Sequence, residues 1–195
     1  MTYPAAFKAT ALDAQTYTLA SMHTGFPGTT GANEVTGGAP AYAKKAITIN
    51  ATSGGVRSLN AAVVFDIPLG ATVRWVGYWN AAVFLCTAPN GGGTPKNFMA
   101  IPSTDLVYST SHGYADTTKI VFFNGTPPTG LTEGTVYFVR DSLTDTFKVA
   151  ATSGGTAIDL TGASSFGCVV CGITEDVFAA QGTQTLSTSS ISIPD

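Results

Sequence analysis

TVRWVGYWNAAVFL, residues Thr72 to Leu85, is the most apolar stretch of the chain, and its reading decides the architecture. In an extended strand, successive side chains point to opposite faces. Trp75, Gly77 and Trp79 then share one face, while Val76 and Tyr78 take the other. Neither face offers a polar row to water. That pattern predicts a central strand covered on both sides.

Around this strand the chain reads as β almost throughout. Ala5 to Ala14 is the one plausible helix, with Pro4 placed to stand at its first turn. Tyr17, Leu19 and Ser21 alternate as a strand, and MHTGFPGTTGANEVTGG, with five Gly and a Pro, is a long irregular loop. KKAITINA (Lys44 to Ala51) alternates at period two. Beyond the loop PNGGGTPK, short strands recur at Asp105–Thr110, Lys119–Phe123, Thr135–Arg140, Thr146–Ala150 and Ala157–Leu160. Such spacing with turn signals between indicates a small antiparallel barrel or sandwich. Cys168–Ile173, Asp176–Phe178, Thr183–Leu186 and Ile191–Ile193 follow as edge or closing strands.

The pentapeptide ATSGG occurs at Ala51–Gly55 and again at Ala151–Gly155, each time between two strand signals. Gly-Gly supplies the positive φ of a tight hairpin turn. The tryptophan strand has no counterpart in the later half, so the repeat reads as one turn used twice and not as a duplicated domain.

Composition narrows the function classes. Of 195 residues only 11% are charged, which suits a subunit packed against copies of itself or other proteins. The net charge is −3, and the nine Lys and Arg stand singly apart from Lys44–Lys45, so a phosphate-tracking nucleic-acid binder is not expected. Apolar runs such as Ala61–Phe65 fall far short of the roughly 20 residues that span a bilayer. MTYPAAFKAT lacks the apolar core of a secretory signal, and the expected location is the cytoplasm, with release by lysis. Three cysteines are too few for a disulfide framework, and Cys168 and Cys171 of CVVC would face opposite sides of a strand.

Two stretches carry a family resemblance. GFPGTTGANEVTGGAPAYAKKAITI (Gly25 to Ile49), FDIP (Phe65 to Pro68), VGYWNAAVFL (Val76 to Leu85) and FAAQGTQTL (Phe178 to Leu186) come in an order that resembles minor tail or tail-fibre proteins of tailed bacteriophages, especially phages of actinobacteria. STSHGYADTTKIVFFNGTPPTGLTEGTVYFVRDSLTDTFKVAATSGGTAIDLTG (Ser109 to Gly162) resembles a β-rich module found inside many phage structural proteins. The resemblance implies an all-β fold: a β-sandwich host domain with one short N-terminal helix, formed by residues 1–102 plus 168–195, and a small inserted antiparallel β-barrel or sandwich module at 103–167. Insertion requires the ends of the module to lie close together, and adjacent strands near Asn97–Ile101 and Val169–Ile173 would meet that need; two consecutive domains with a separate C-terminal tail are the alternative. The final segment should then supply ladder partners to the tryptophan-bearing sheet. The implied role is that of a virion structural protein in the tail, working through contacts with other virion proteins as a homo-oligomer, a trimer among the options. A capsid decoration protein on the outer shell is the alternative within that class.

No catalytic set is legible. His112 lies in SHGYAD beside Ser111 and Asp116, but triad members are assembled by a fold and seldom crowd into one turn. The expectation is a turn bent by Gly113 with a solvated His112, and a packed or hydrogen-bonded His23 at a strand end. Asp141 and Asp145 bracket a turn, yet Leu143 and Thr144 between them make a Ca²⁺ loop of EF-hand type implausible. No metal and no cofactor are expected. Aromatics in loops or at strand ends, Tyr3, Phe26, Tyr42, Tyr108 and Tyr114, are candidates for a contact surface. A different reading makes the chain a carbohydrate-binding module that meets a host-surface glycan through Trp75, Trp79 or the loop tyrosines.

Overall fold

The structure is a computed structural model and describes residues 4–192. Tyr3, Ile193 and Asp195 lie outside the described residues. Among the described residues the chain is all-β apart from one helix and a short 3-10 turn. Helix α1 is Ala5–Asp13, and the strands in order are β1 (Leu19–His23), β2 (Lys45–Ala46), β3 (Val56–Ser58), β4 (Val63–Ile67), β5 (Thr72–Val73), β6 (Trp75–Asn80), β7 (Val83–Pro89), β8 (Met99–Ile101), β9 (Leu106–Tyr108), β10 (Lys119–Phe123), β11 (Val136–Arg140), β12 (Thr146–Ala150), β13 (Val169–Gly172), β14 (Asp176–Val177), β15 (Gly182–Leu186) and β16 (Ser190–Ser192). These elements form two compact units, residues 1–88 with 175–195 and residues 89–174.

In the first unit β6 is the interior strand of a four-stranded sheet ordered β2-β1-β6-β7. Trp75 to Trp79 are all buried, as the two-sided apolar pattern predicts. Ala20, Met22, Val76 and Tyr78 pack in one cluster with Phe65, Ile67, Val73 and Leu186. The other face carries Ser21, His23, Trp75, Gly77 and Trp79, because antiparallel partners share a side and Ser21 lies opposite Gly77 and His23 opposite Trp75. Phe26, Gly31, Ala32 and Lys44 of the segment after β1 cover that face, while Val35 and Tyr42 of the same segment pack in the opposite cluster.

The C-terminal strands do not extend this sheet, which corrects the expectation drawn from FAAQGTQTL. β15 pairs with β4, β14 with β5 and β16 with β3, each as a separate antiparallel two-stranded ladder. Both edges of β6 are taken by β1 and β7, and the C-terminal strands find their partners in β3, β4 and β5 instead. The C-terminal segment meets the tryptophan strand through side chains instead, with Leu186 in the cluster of Tyr78 and the Tyr78 hydroxyl hydrogen-bonded to Ser189.

The second unit is a six-stranded antiparallel sheet ordered β13-β10-β11-β12-β9-β8. A bridge between Lys96 and Val170 joins its two edges, with Lys96 N–H donating to Val170 O at 2.8 Å and Val170 N–H returning to Lys96 O at 3.0 Å. Inside lie Val107, Ile120, Phe122, Tyr137, Val139, Phe147, Val149, Leu160, Cys168 and Val170. β8 and β13 therefore belong to this sheet and not to the first unit, so the expected boundaries at 102 and 168 move out to 88/89 and 174/175. The chain enters and leaves side by side at Asn90 and Thr174, where Thr174 N–H donates to Asn90 O at 2.8 Å and the Asn90 amide to Thr174 O at 3.2 Å.

Several strand expectations shorten. Of Lys44–Ala51 only Lys45–Ala46 is a strand, and Ile49 makes a single bridge to Leu59. Ala157–Leu160 is no strand; Ala157 makes one bridge to Ala150. The two ATSGG copies also differ. In the first, Ser53 and Val56 exchange backbone bonds at 2.9 and 3.1 Å across Gly54 and Gly55, both at positive φ, a two-residue hairpin turn. In the second, Gly155 N–H donates to Thr152 O at 2.9 Å and only Gly154 has positive φ. One pentapeptide thus serves two turn geometries, chosen by the strands on either side.

Candidate functional site

The most organised polar group of the first unit lies on the covered face of its four-stranded sheet. Period two places Ser21 and His23 on the side opposite Ala20 and Met22, and both are fully buried. Trp79 Nε1–H donates to Ser21 Oγ at 2.7 Å, and Ser21 Oγ lies 2.7 Å from His23 Nε2. His23 Nδ1 lies 2.7 Å from Ala32 O. A carbonyl only accepts, so Nδ1 carries the proton, Nε2 is the acceptor, and Ser21 donates to it. The relay runs Trp79 to Ser21 to His23 to Ala32. Burial holds the His23 imidazole below the usual histidine range, against an opposing pull from its bond to Ala32.

Glycines make the room for this relay. A Cβ on Gly77 would stand 2.5 Å from His23 Nε2 and 2.6 Å from Ser21 Oγ. Gly31, at φ +76°, lies so close to the Trp79 ring that a Cβ would overlap it. Residues 24–34 and Lys44 then close the face. Thr24 N–H donates to Asn33 O at 2.9 Å, Val35 N–H to Met22 O at 2.9 Å, and His23 bridges Glu34. Lys44 Nζ sits 3.5 Å over the Trp79 ring and 3.2 Å from Glu34. Ser21 and His23 superficially match a nucleophile and its base, yet neither reaches solvent and Ser21 Oγ also accepts the indole proton. The arrangement holds a loop to a sheet.

His112 is also packed, which corrects the expectation of a solvated side chain. Its Nδ1 accepts from Tyr114 N–H at 3.0 Å, its Nε2 donates to Thr146 O at 3.4 Å, and its ring stands edge-on to Phe147 at 4.9 Å. A turn that folds back over the sheet covers the imidazole. Ser111 and Asp116 do not join it: Ser111 N–H donates to Asp145 Oδ1 at 2.7 Å, and Asp116 Oδ1 accepts from Ser142 N–H at 2.9 Å. Asp141 pairs with Arg140 at 3.2 Å. Among the described residues no three His, Cys, Asp or Glu side chains gather as a metal site.

Of the aromatic contact candidates, most are engaged in packing. Phe26 lies 5.0 Å from Trp75 and covers it. Tyr42 stacks on Phe65, and its hydroxyl accepts from Met22 N–H at 2.7 Å. Tyr114 stacks on His112 and stands edge-on to Phe147. Burial raises the hydroxyl pKa of Tyr42 and of Tyr114. Tyr108 differs, being 38% exposed and paired across the ladder with Met99, itself 58% exposed. Ile101 and Leu106, two positions along the ladder, share that outward side, and Leu143 is exposed in the turn before Thr146, the other ladder partner of Tyr108.

Trp75 is fully buried and Trp79 is 7% exposed beneath Lys44, so neither ring is a platform for sugar stacking. Among the described residues no helix is long and apolar enough to cross a membrane. Comparison of the chain with family models, curated proteins and solved structures gives no match.

Sequence reading missed the Ser21–His23–Trp79 relay. Its signal was the glycine inside an apolar strand, since such a glycine marks a close approach by something else.

Proposed function

We propose that the chain is a structural component of a bacteriophage particle, a minor tail or tail-fibre protein that works through protein–protein contacts. The observation that carries this reading is the outward pair Met99–Tyr108 with its neighbours Ile101 and Leu106. It is a row of apolar side chains on the outer side of a closed sheet, in a chain with 11% charged residues. Exposed apolar area of this kind marks contact surfaces, and aromatic and Met side chains are enriched there. The polar groups with catalytic chemistry, Ser21, His23 and His112, are instead sealed and internally bonded. The sequence resemblance supplies the identity of the assembly.

Two measurements test this. The chain should be found at fixed stoichiometry in purified particles, and electron density should place it in the tail; density on the outer shell would favour the decoration alternative. Native mass spectrometry of the isolated protein should show an oligomer that Tyr108→Glu and Met99→Glu together dissociate. A monomer that never enters particles would end the proposal.

A further inference from the structure

We propose that His23 is an acid-operated latch: uptake of a second proton by its imidazole releases residues 25–34 from the tryptophan-bearing face of the sheet. This goes beyond any structural role in an assembly and does not depend on it.

The geometry leaves no good place for that proton. Nδ1 already donates to Ala32 O at 2.7 Å, so the second proton must go on Nε2, which faces Ser21 Oγ at 2.7 Å. Ser21 Oγ would then accept from both His23 and Trp79 and would have to send its own proton elsewhere. The remaining acceptor is Gly77 O at 3.4 Å, well beyond the usual span of about 2.7–2.8 Å for a hydroxyl donor. The new charge would sit on a side chain with no exposure, where an ion is costly unless paired.

The charged groups around His23 do not offset it. From the covering loop come Glu34 and Lys44, 3.2 Å apart and already paired with each other, with Lys44 lying over Trp79 on the same face. Before β6 comes Arg74, whose N–H donates to His23 O at 2.9 Å and whose guanidinium bonds Thr24 O and pairs with Glu175. From β6 and β7 come Gly77, Trp75, Trp79 and Phe84, all uncharged. Opening the loop removes Ala32 and Glu34 from the sheet and lets water reach the imidazole. Protonation and opening are therefore coupled.

The sign follows from linkage. Burial lowers the closed-state affinity for the proton, and the open state takes it up near the ordinary histidine value of about 6.5. Closure is thus complete above about 6.5 and weakens as the pH falls below it, by at most about tenfold per pH unit for one proton.

Hydrogen exchange measured by mass spectrometry between pH 7.5 and pH 5 tests the latch on the whole protein, with rates corrected for the intrinsic effect of pH. The expected result is a rise of up to about tenfold per unit in the exchange of residues 24–34, which include the bonded amides of Thr24 and Ala32. The amides of β10 to β12 should not change and serve as the internal reference. His23→Gln should lose the pH dependence whatever its starting protection. If that variant fails to fold, titration of the His23 ring by NMR in the unaltered protein decides. Proton uptake near 6.5 with the loop still protected, or loop exchange that ignores pH, would overturn the latch.

Discussion

Gly77 lies directly opposite Ser21 across the β1–β6 ladder, and the missing side chain at 77 is what lets the Ser21 hydroxyl and the His23 ring meet. Gly77→Ala would drive a methyl group against both, 2.6 and 2.5 Å away. Overpacking of a rigid interior costs about 1–3 kcal/mol, and here it also breaks buried hydrogen bonds. Urea unfolding of the variant should show a loss of about 3 kcal/mol, and an unchanged midpoint would refute the packing described.

Ser21→Ala removes one oxygen but strands two partners, Trp79 Nε1 and His23 Nε2. Each buried group left without a partner costs about 1–3 kcal/mol. The expected loss is about 2–4 kcal/mol, larger than for an ordinary serine deletion on a strand. Pairing the change with His23→Phe should return part of it in a double-mutant cycle.

Helix α1 has no side-chain cap at its start and buries one residue, Leu12. It is held from outside by Arg57, whose guanidinium donates to Leu12 O at 3.1 Å and Gln15 O at 2.6 Å, and by Asp13, which accepts from the Thr52 hydroxyl at 2.7 Å. Basic side chains that bond the last carbonyls of a helix stabilise its end. Arg57→Ala should speed proteolytic cleavage before residue 17 and lower stability by about 1–2 kcal/mol. Unaltered cleavage would show that α1 is held by other contacts.

Burial pushes the thiols of Cys86 and Cys168 up to about 11 and that of Cys171 up to about 12. Thiolate is the reactive form, so at pH 8 all three should be nearly inert to a thiol reagent in the folded protein. Reaction should appear in full denaturant, and raising the pH toward 11 should wake Cys86, which is half-buried, before Cys171. Prompt labelling of Cys171 at pH 8 would contradict the fold of β13.

Residues 89–174 carry their own core and ladder, and their entry and exit bond each other at Asn90 and Thr174. This segment, produced alone, should fold to a β-rich form with a cooperative thermal transition. An unfolded product would mean that the rest of the chain supplies part of its stability.

What could be read from the sequence follows how local the deciding physics is. Period two in TVRWVGYWN was enough to find an interior strand, because both faces were visibly apolar. The C-terminal ladders were not legible: β15 pairs with β4 across more than a hundred residues, and only the occupied edges of β6 exclude the alternative. ATSGG shows the same limit at short range, since identical residues turn differently between different strands. For the candidate contact residues, sequence places Tyr42, Tyr108 and Tyr114 alike in loops or at strand ends. The fold then separates them, giving Tyr42 the Met22 amide, Tyr114 the His112 ring, and Tyr108 an outward neighbour in Met99.

The adjacency of Asn90 and Thr174 has a mechanical consequence. A pull that separates residue 89 from residue 174 would first meet the two hydrogen bonds that close the base of that segment. Within the first unit, the ladders β3–β16, β4–β15 and β5–β14 tie its two sequence halves together and would bear a pull applied between them.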